Sequence, residues 1–207
     1  MNSTASPRIP AAAPLDDSGG GLRPAVLGSA LFVVFCGLLY PAVATLLGGL
    51  LFPHQAGGSL IERDGRIVGS SLVAQPFADA RYFQPRPSAA NFDPKALSGS
   101  NLASSNPALR ERMARDSAAV AAREGVPAKA IPAELISASG SGIDPHLSPQ
   151  GAQVQVARVA QARGLPTEAV AALVRSHTQR RTLGVLGEPR VNVLALNLAL
   201  DAQGARP

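Results

Sequence analysis

An α+β fold behind a single amino-terminal membrane helix is what this sequence predicts. Three observations carry that reading: an uncharged run from Ala25 to Phe52, an Asp-Gly hairpin signal after it, and three helical segments followed by a β-branched closing block. At 207 residues and 46% hydrophobic, the chain supports one domain of ordinary size plus an extra segment.

The first 24 residues, "MNSTASPRIPAAAPLDDSGGGLRP", are rich in Pro, Gly, Ser and Ala and have little to bury, so disorder is expected there. Residues 25–52 then form the expected transmembrane helix, because a bilayer core of about 30 Å needs about 20 apolar residues. Pro41 and the Gly48-Gly49 pair inside it suggest a kink or a packing face. The small-residue triplet Ala42–Ala44 offers the competing reading of a cleaved signal peptide. The apolar run continues through Leu46, Leu47, Leu50, Leu51 and Phe52, which favours an uncleaved anchor. Arg8 and Arg23 before the span are matched by Arg63 and Arg66 after it, so charge alone sets no orientation. Long domains translocate largely regardless of charge, which allows a short tail inside and the domain of residues 53–207 outside.

In that domain, Asp64-Gly65 between two extended runs is the signature of a type I′ hairpin with strands at Leu60–Arg63 and Arg66–Ser70. Prolines and small polar residues then break every period up to residue 107. The segment nevertheless holds Phe77, Tyr82, Phe83 and Phe92, half of the chain's Phe and Tyr, and is expected to pack on the domain or a partner. Asn106 as cap, Pro107 in the first turn and Gly125 as stop delimit a helix over 107–124. Ser148, Pro149 and Gly164 do the same for a second helix, and a third covers 167–176. The closing block "PRVNVLALNLAL" reads as a strand with Leu194, Leu196, Leu198 and Leu200 on one face, or equally as a strand turning helical near Leu196.

The polar stretch "ASGSGIDPHLSP", Ala138–Pro149, invites a test for chemistry. Ser141 has Ser139 and Ile143 two positions away on either side, so it lacks the G-x-S-x-G elbow of a hydrolase. Gly140 and Gly142 are followed by no lysine, the only lysines being Lys95 and Lys129, so a nucleotide-hydrolysing P-loop is excluded. An anion could at most meet the helix start at Ser148. His54, His146 and His177 are far apart and Cys36 stands alone, which provides neither a metal-ligand pattern nor a disulfide. Asp144 before Pro145 initiates a turn, and the stretch reads as a connector. The isoelectric point near 10.3 suggests nucleic acid, but no basic cluster with interleaved aromatics accompanies it.

Four blocks in one order, "YFQPRPSAANFDP" (82–94), "SNLASSNPAL" (100–109), "SASGSGIDPHLSPQGAQVQVARVAQARGL" (137–165) and "GEPRVNVLALNLALD" (187–201), resemble the C subunit of the Kdp potassium-transporting ATPase. The likeness runs from the membrane span to the carboxyl end. Where the family has "SGGSN", this chain has Leu97-Ser98-Gly99-Ser100-Asn101, and Ala195 stands where an acidic residue is usual. The resemblance implies an accessory, non-catalytic subunit of a high-affinity, ATP-driven potassium import complex, single-pass in the bacterial inner membrane. Its implied partners are a channel-like potassium-selective subunit, a P-type ATPase subunit and a small membrane peptide, along with membrane lipids and no nucleic acid. Potassium is then the transported ion, no cofactor is covalently bound, and ATP belongs to the ATPase subunit. Two roles are implied: a catalytic chaperone that supports ATP binding, or a cap at the external potassium entrance. The first points to Ser98, Gly99, Ser100 and Asn101 as nucleotide contacts. Candidate interface or structural positions are Arg86, Asn106, Ser139, Asp144, His146, Arg158, Arg190, Asn192 and Asn197. A membrane-anchored scaffold without ATPase partners is the alternative from another class.

Charge bears on the capping role. Arg8 and Arg23 are offset by Asp16 and Asp17, so the net +5 belongs wholly to the part after the span. A funnel for cations needs the opposite sign, so capping is expected to be steric, with arginines such as Arg86 and Arg158 pairing with acidic partner faces or lipid head groups. Screening over about 8 Å keeps such effects local.

Overall fold

The computed structural model describes residues 21–204, which divide into two units meeting at Ala56 and Gly57. Of the disorder expected over residues 1–24, residues 1–20 lie outside the described residues, whereas Leu22, Arg23 and Pro24 belong to the first helix, which starts three residues before Ala25. The first unit is dominated by a helix of 30 residues, Leu22–Leu51, about 45 Å long and therefore ample for a bilayer core. It is built from α1 (Leu22–Phe32), a π-helical stretch (Val33–Leu39) and α2 (Tyr40–Leu51). In the widened stretch the Tyr40 N–H donates to the carbonyl of Phe35, five residues back. Pro41 follows at once. A proline has no N–H to give and its ring crowds the carbonyl four residues earlier, and a widened turn is one way a helix absorbs that. A short α3 (Pro53–Ala56) ends the unit.

The second unit is mixed helix and sheet. Its first element is the hairpin β1 (Leu60–Arg63) and β2 (Arg66–Ser70), antiparallel, with a bulge between Ile61 and Glu62. Asp64 and Gly65 have φ of 53° and 73°, both left-handed, as a type I′ turn demands. Helix α4 (Pro107–Glu124) starts where Asn106 Oδ1 accepts from the Ala108 N–H at 2.9 Å and stops at Gly125 with φ 67°. Helix α5 (Pro149–Arg163) is capped by Ser148, whose hydroxyl accepts from the Gly151 N–H at 3.0 Å, and α6 (Thr167–Ser176) follows.

A second antiparallel sheet has the order β3 (His146–Leu147), β5 (Arg190–Asn192), β4 (Thr178–Gln179). The closing block turns helical three residues earlier than Leu196, as α7 (Val193–Gly204). Asn192 causes this, because its side-chain oxygen accepts from the Ala195 N–H at 3.0 Å and caps the helix. The all-strand alternative for Leu194–Leu200 therefore fails. Val156, Val159, Val170, Val191, Leu196, Leu200 and Phe83 are all essentially inaccessible and join α5, α6, β5 and α7 in one core.

Candidate functional site: a loop clamped by side chains

Between β2 and α4 the chain runs for more than thirty residues without helix or strand, yet Phe83 in its middle is fully buried. Burying backbone without a ladder requires other partners for its N–H and C=O groups. Two side-chain amides supply them. Asn197 on α7 accepts from the Phe83 N–H at 2.8 Å and donates to the Phe83 carbonyl at 2.9 Å. Gln155 on α5 does the same one residue on, accepting from Gln84 N–H at 2.8 Å and donating to its carbonyl at 3.0 Å. Each amide thus stands in for a strand edge.

Arginines hold the preceding residues. Arg158 donates to the carbonyls of Ala80 and Tyr82, to Gln155 and to Glu124, the last at 2.9 Å. The Glu124 side chain is 0% exposed and is shared with Arg123 at 2.6 Å. Arg163 donates to the Arg81 carbonyl and to Asp201, and its guanidinium lies 4.9 Å from the Tyr82 ring centroid. Tyr82 closes the circuit by donating its hydroxyl to Asp201.

The second half of the loop rests on Ser137–Asp144. Arg86 meets Asp144 at 3.0 Å, the Pro87 carbonyl accepts from Ser139 N–H, and the Ser88 hydroxyl donates to the Gly142 carbonyl. Burial works to raise the Asp144 pKa. Hydrogen bonds from the His146 side chain and N–H, with Arg86 beside it, outweigh that and hold the carboxyl below its ordinary value. Ser139 is buried and accepts from Gly142 N–H at 2.7 Å. Gly142 has φ 76°, and a Cβ there would lie 2.7 Å from the Ala90 Cβ and 2.8 Å from the Ser98 carbonyl oxygen. Gly99 faces Gly140 as closely, its would-be Cβ 3.0 Å from that carbonyl. A cleft of about 260 Å³ beside the loop is lined by Phe77, Gln84, Arg86, Phe92, Asp116 and Arg123, among others.

The structure therefore gathers Arg86, Ser139, Asp144 and His146 around one contact, with Ser98 and Gly99 on its rim. Ser100 and Asn101 continue past that rim, and Asn101 has φ 48°. Arg158 and Asn197 belong to the clamp. Arg158 turns inward, 9% exposed and committed to Glu124 and backbone carbonyls, so its charge is spent within the domain. Asn106 and Asn192 are helix caps, and Asn192 also donates to the Ser71 carbonyl. Arg190 sits on β5 opposite Gln179. Gln155, Glu124, Arg163 and Asp201 escaped the sequence reading. Gln155 had a signal, being a polar residue on the apolar face of Ala152, Val156 and Val159.

A membrane-length helix joined to an α/β domain, with its longest loop clamped by side chains that pair with backbone and with one another, is the arrangement of a membrane-anchored protein. The family model "KdpC: K+-transporting ATPase, c chain" matches residues 22–202. A potassium-transporting ATPase KdpC subunit of Xanthomonas oryzae pv. oryzae (strain MAFF 311018) is 58% identical over 195 residues, covering 92% of this chain and 91% of the relative. Like-named subunits of Shewanella putrefaciens (strain CN-32 / ATCC BAA-453) and Gemmatimonas aurantiaca (strain DSM 14586 / JCM 11422 / NBRC 100505 / T-27) are each 52% identical, over 181 and 187 residues. They cover 87% and 89% of this chain and 89% and 94% of their own lengths. The chain belongs to the KdpC family, subunits of the potassium-transporting ATPase.

Proposed function

We propose that this chain is a non-catalytic accessory subunit, single-pass in the inner membrane, amino-terminus inside and α/β domain outside. It holds a channel-like potassium-selective subunit, a P-type ATPase subunit and a small membrane peptide in a coupled assembly. The supporting observation is the clamp on Tyr82–Gln84, where Gln155, Asn197 and Arg158 each satisfy loop backbone. Side chains committed in this way shape a rigid surface rather than perform chemistry. An outside domain influences ATP turnover only through the coupled assembly, since ATP is cytoplasmic. The domain's net positive charge makes its capping of a potassium entrance steric.

Placement is testable with an impermeant maleimide on intact cells carrying Lys95→Cys and Cys36→Ser, Lys95 being exposed. Labelling without lysis supports an outside domain. Labelling only after lysis puts the domain with ATP and favours the second reading, in which the exposed Ser98 and Asn101, with Gly99 and Ser100, contact nucleotide. Photolabelling with azido-ATP, lost in Asn101→Ala, checks that reading.

A further inference from the structure

Beyond the clamp, the hairpin between β4 and β5 ends in an apolar knob that nothing in the domain covers. Leu183, Val185 and Leu186 are 87%, 72% and 59% exposed. The knob has a set shape. Thr182 and Leu186 pair as an isolated bridge, Thr182 N–H donating to the Leu186 carbonyl at 2.8 Å and Leu186 N–H returning to Thr182 at 3.0 Å. Leu183 is held at φ 55°, a left-handed conformation that side chains with a Cβ avoid, ahead of Gly184 at 78°. At its base Arg181 is paired with Glu188, whereas Arg180 and Arg190 have no carboxylate within 4.0 Å among the described residues.

We infer that this knob plugs into an apolar recess rimmed by carboxylates on another subunit of the same ATPase, an inference that rests on the accessory-subunit reading above. Charge argues against a second copy of this chain, because Arg180 and Arg190 would meet their own kind. Lipid would impose no shape on the turn, and the knob lacks the Trp and Tyr that favour membrane interfaces. A locked turn presenting Leu183 is pre-organised for a complementary pocket, and a free guanidinium on each side selects carboxylates around it.

The test uses the full tagged chain expressed with its partner subunits in potassium-limited cells and extracted in mild detergent. Leu183→Asp/Val185→Asp should cut recovery of the partner subunits about tenfold, and Arg180→Glu should cut it less. Wild-type recovery of partners with undiminished recovery by the double variant overturns the knob proposal alone. A wild-type chain that brings no partners overturns the accessory-subunit reading instead. A photoactivatable benzoylphenylalanine at Leu183 covers misfolding. A crosslink identified by mass spectrometry as a subunit of the ATPase supports the inference, and crosslinks to lipid alone or to a second copy of this chain overturn it.

Discussion

The carboxamide of Asn197 grips the backbone of Phe83 with both of its polar ends, at 2.8 Å and 2.9 Å, inside a core where neither residue is accessible. Leucine at position 197 keeps the volume and leaves a buried N–H and a buried C=O without partners. Unpaired buried groups cost about 1–3 kcal/mol each, so Asn197→Leu should lose about 2–6 kcal/mol of stability. Denaturant unfolding of the detergent-solubilised full chain measures this. A loss under about 0.5 kcal/mol, the range of ordinary surface substitutions, would deny the amide its structural role.

Glu124 sits between Arg123 and Arg158 with no exposure of its side chain. Glu124→Ala strands a buried guanidinium and should cost about 3–5 kcal/mol. Adding Arg158→Ala should cost far less than the sum of the two single changes, because the stranded charge goes with it. Additive losses in a double-mutant cycle would mean that the two groups are not coupled.

Asp144 gives the pH dependence a sign. Its pKa is lowered in the folded chain, so it adds stability that is present above the ordinary carboxylate range and is lost as the pH falls through the folded value. Asp144→Asn should therefore lower stability at neutral pH and flatten the acid side of the stability curve below about pH 4. An unchanged acid limb in the variant would remove Asp144 as a contributor.

Gly142→Ala forces a Cβ into the space between Ala90 and Ser98 at a left-handed φ of 76°. The two loops must then separate, at a cost of about 2 kcal/mol or more. Faster hydrogen exchange over residues 87–101, with α5 and α6 unchanged, is the expected local signature. Protection equal to wild type would show that the loops yield without parting.

How much of this was legible depended on where the information sits in the chain. Asp64-Gly65, Asn106-Pro107, Ser148-Pro149, Gly125 and Gly164 announce their turns and caps within a few residues, and the hairpin and three helices follow them closely. The turn and helix start within Ala138–Pro149 were readable for the same reason, but His146–Leu147 also form strand β3 against β5, a pairing no local signal announced. The start of α7 was legible only in part, because Asn192 caps a run whose leucines also alternate as a strand does. The clamp was illegible. Phe83 is 114 positions from Asn197 and Gln84 is 71 from Gln155, and no local pattern announces a side-chain amide that will replace a strand. Family resemblance drew attention to Arg158 and Asn197 without revealing that both face inward.

The accessory-subunit account is tested most directly by purifying the carboxyl-tagged chain in mild detergent from potassium-starved cells and assaying potassium-stimulated ATP hydrolysis. The account expects large membrane subunits and that activity to come with the tag, and the activity to fall when the clamp is broken by Asn197→Leu. A chain that emerges alone and inactive, with its partners expressed, would contradict it and favour a self-standing membrane scaffold.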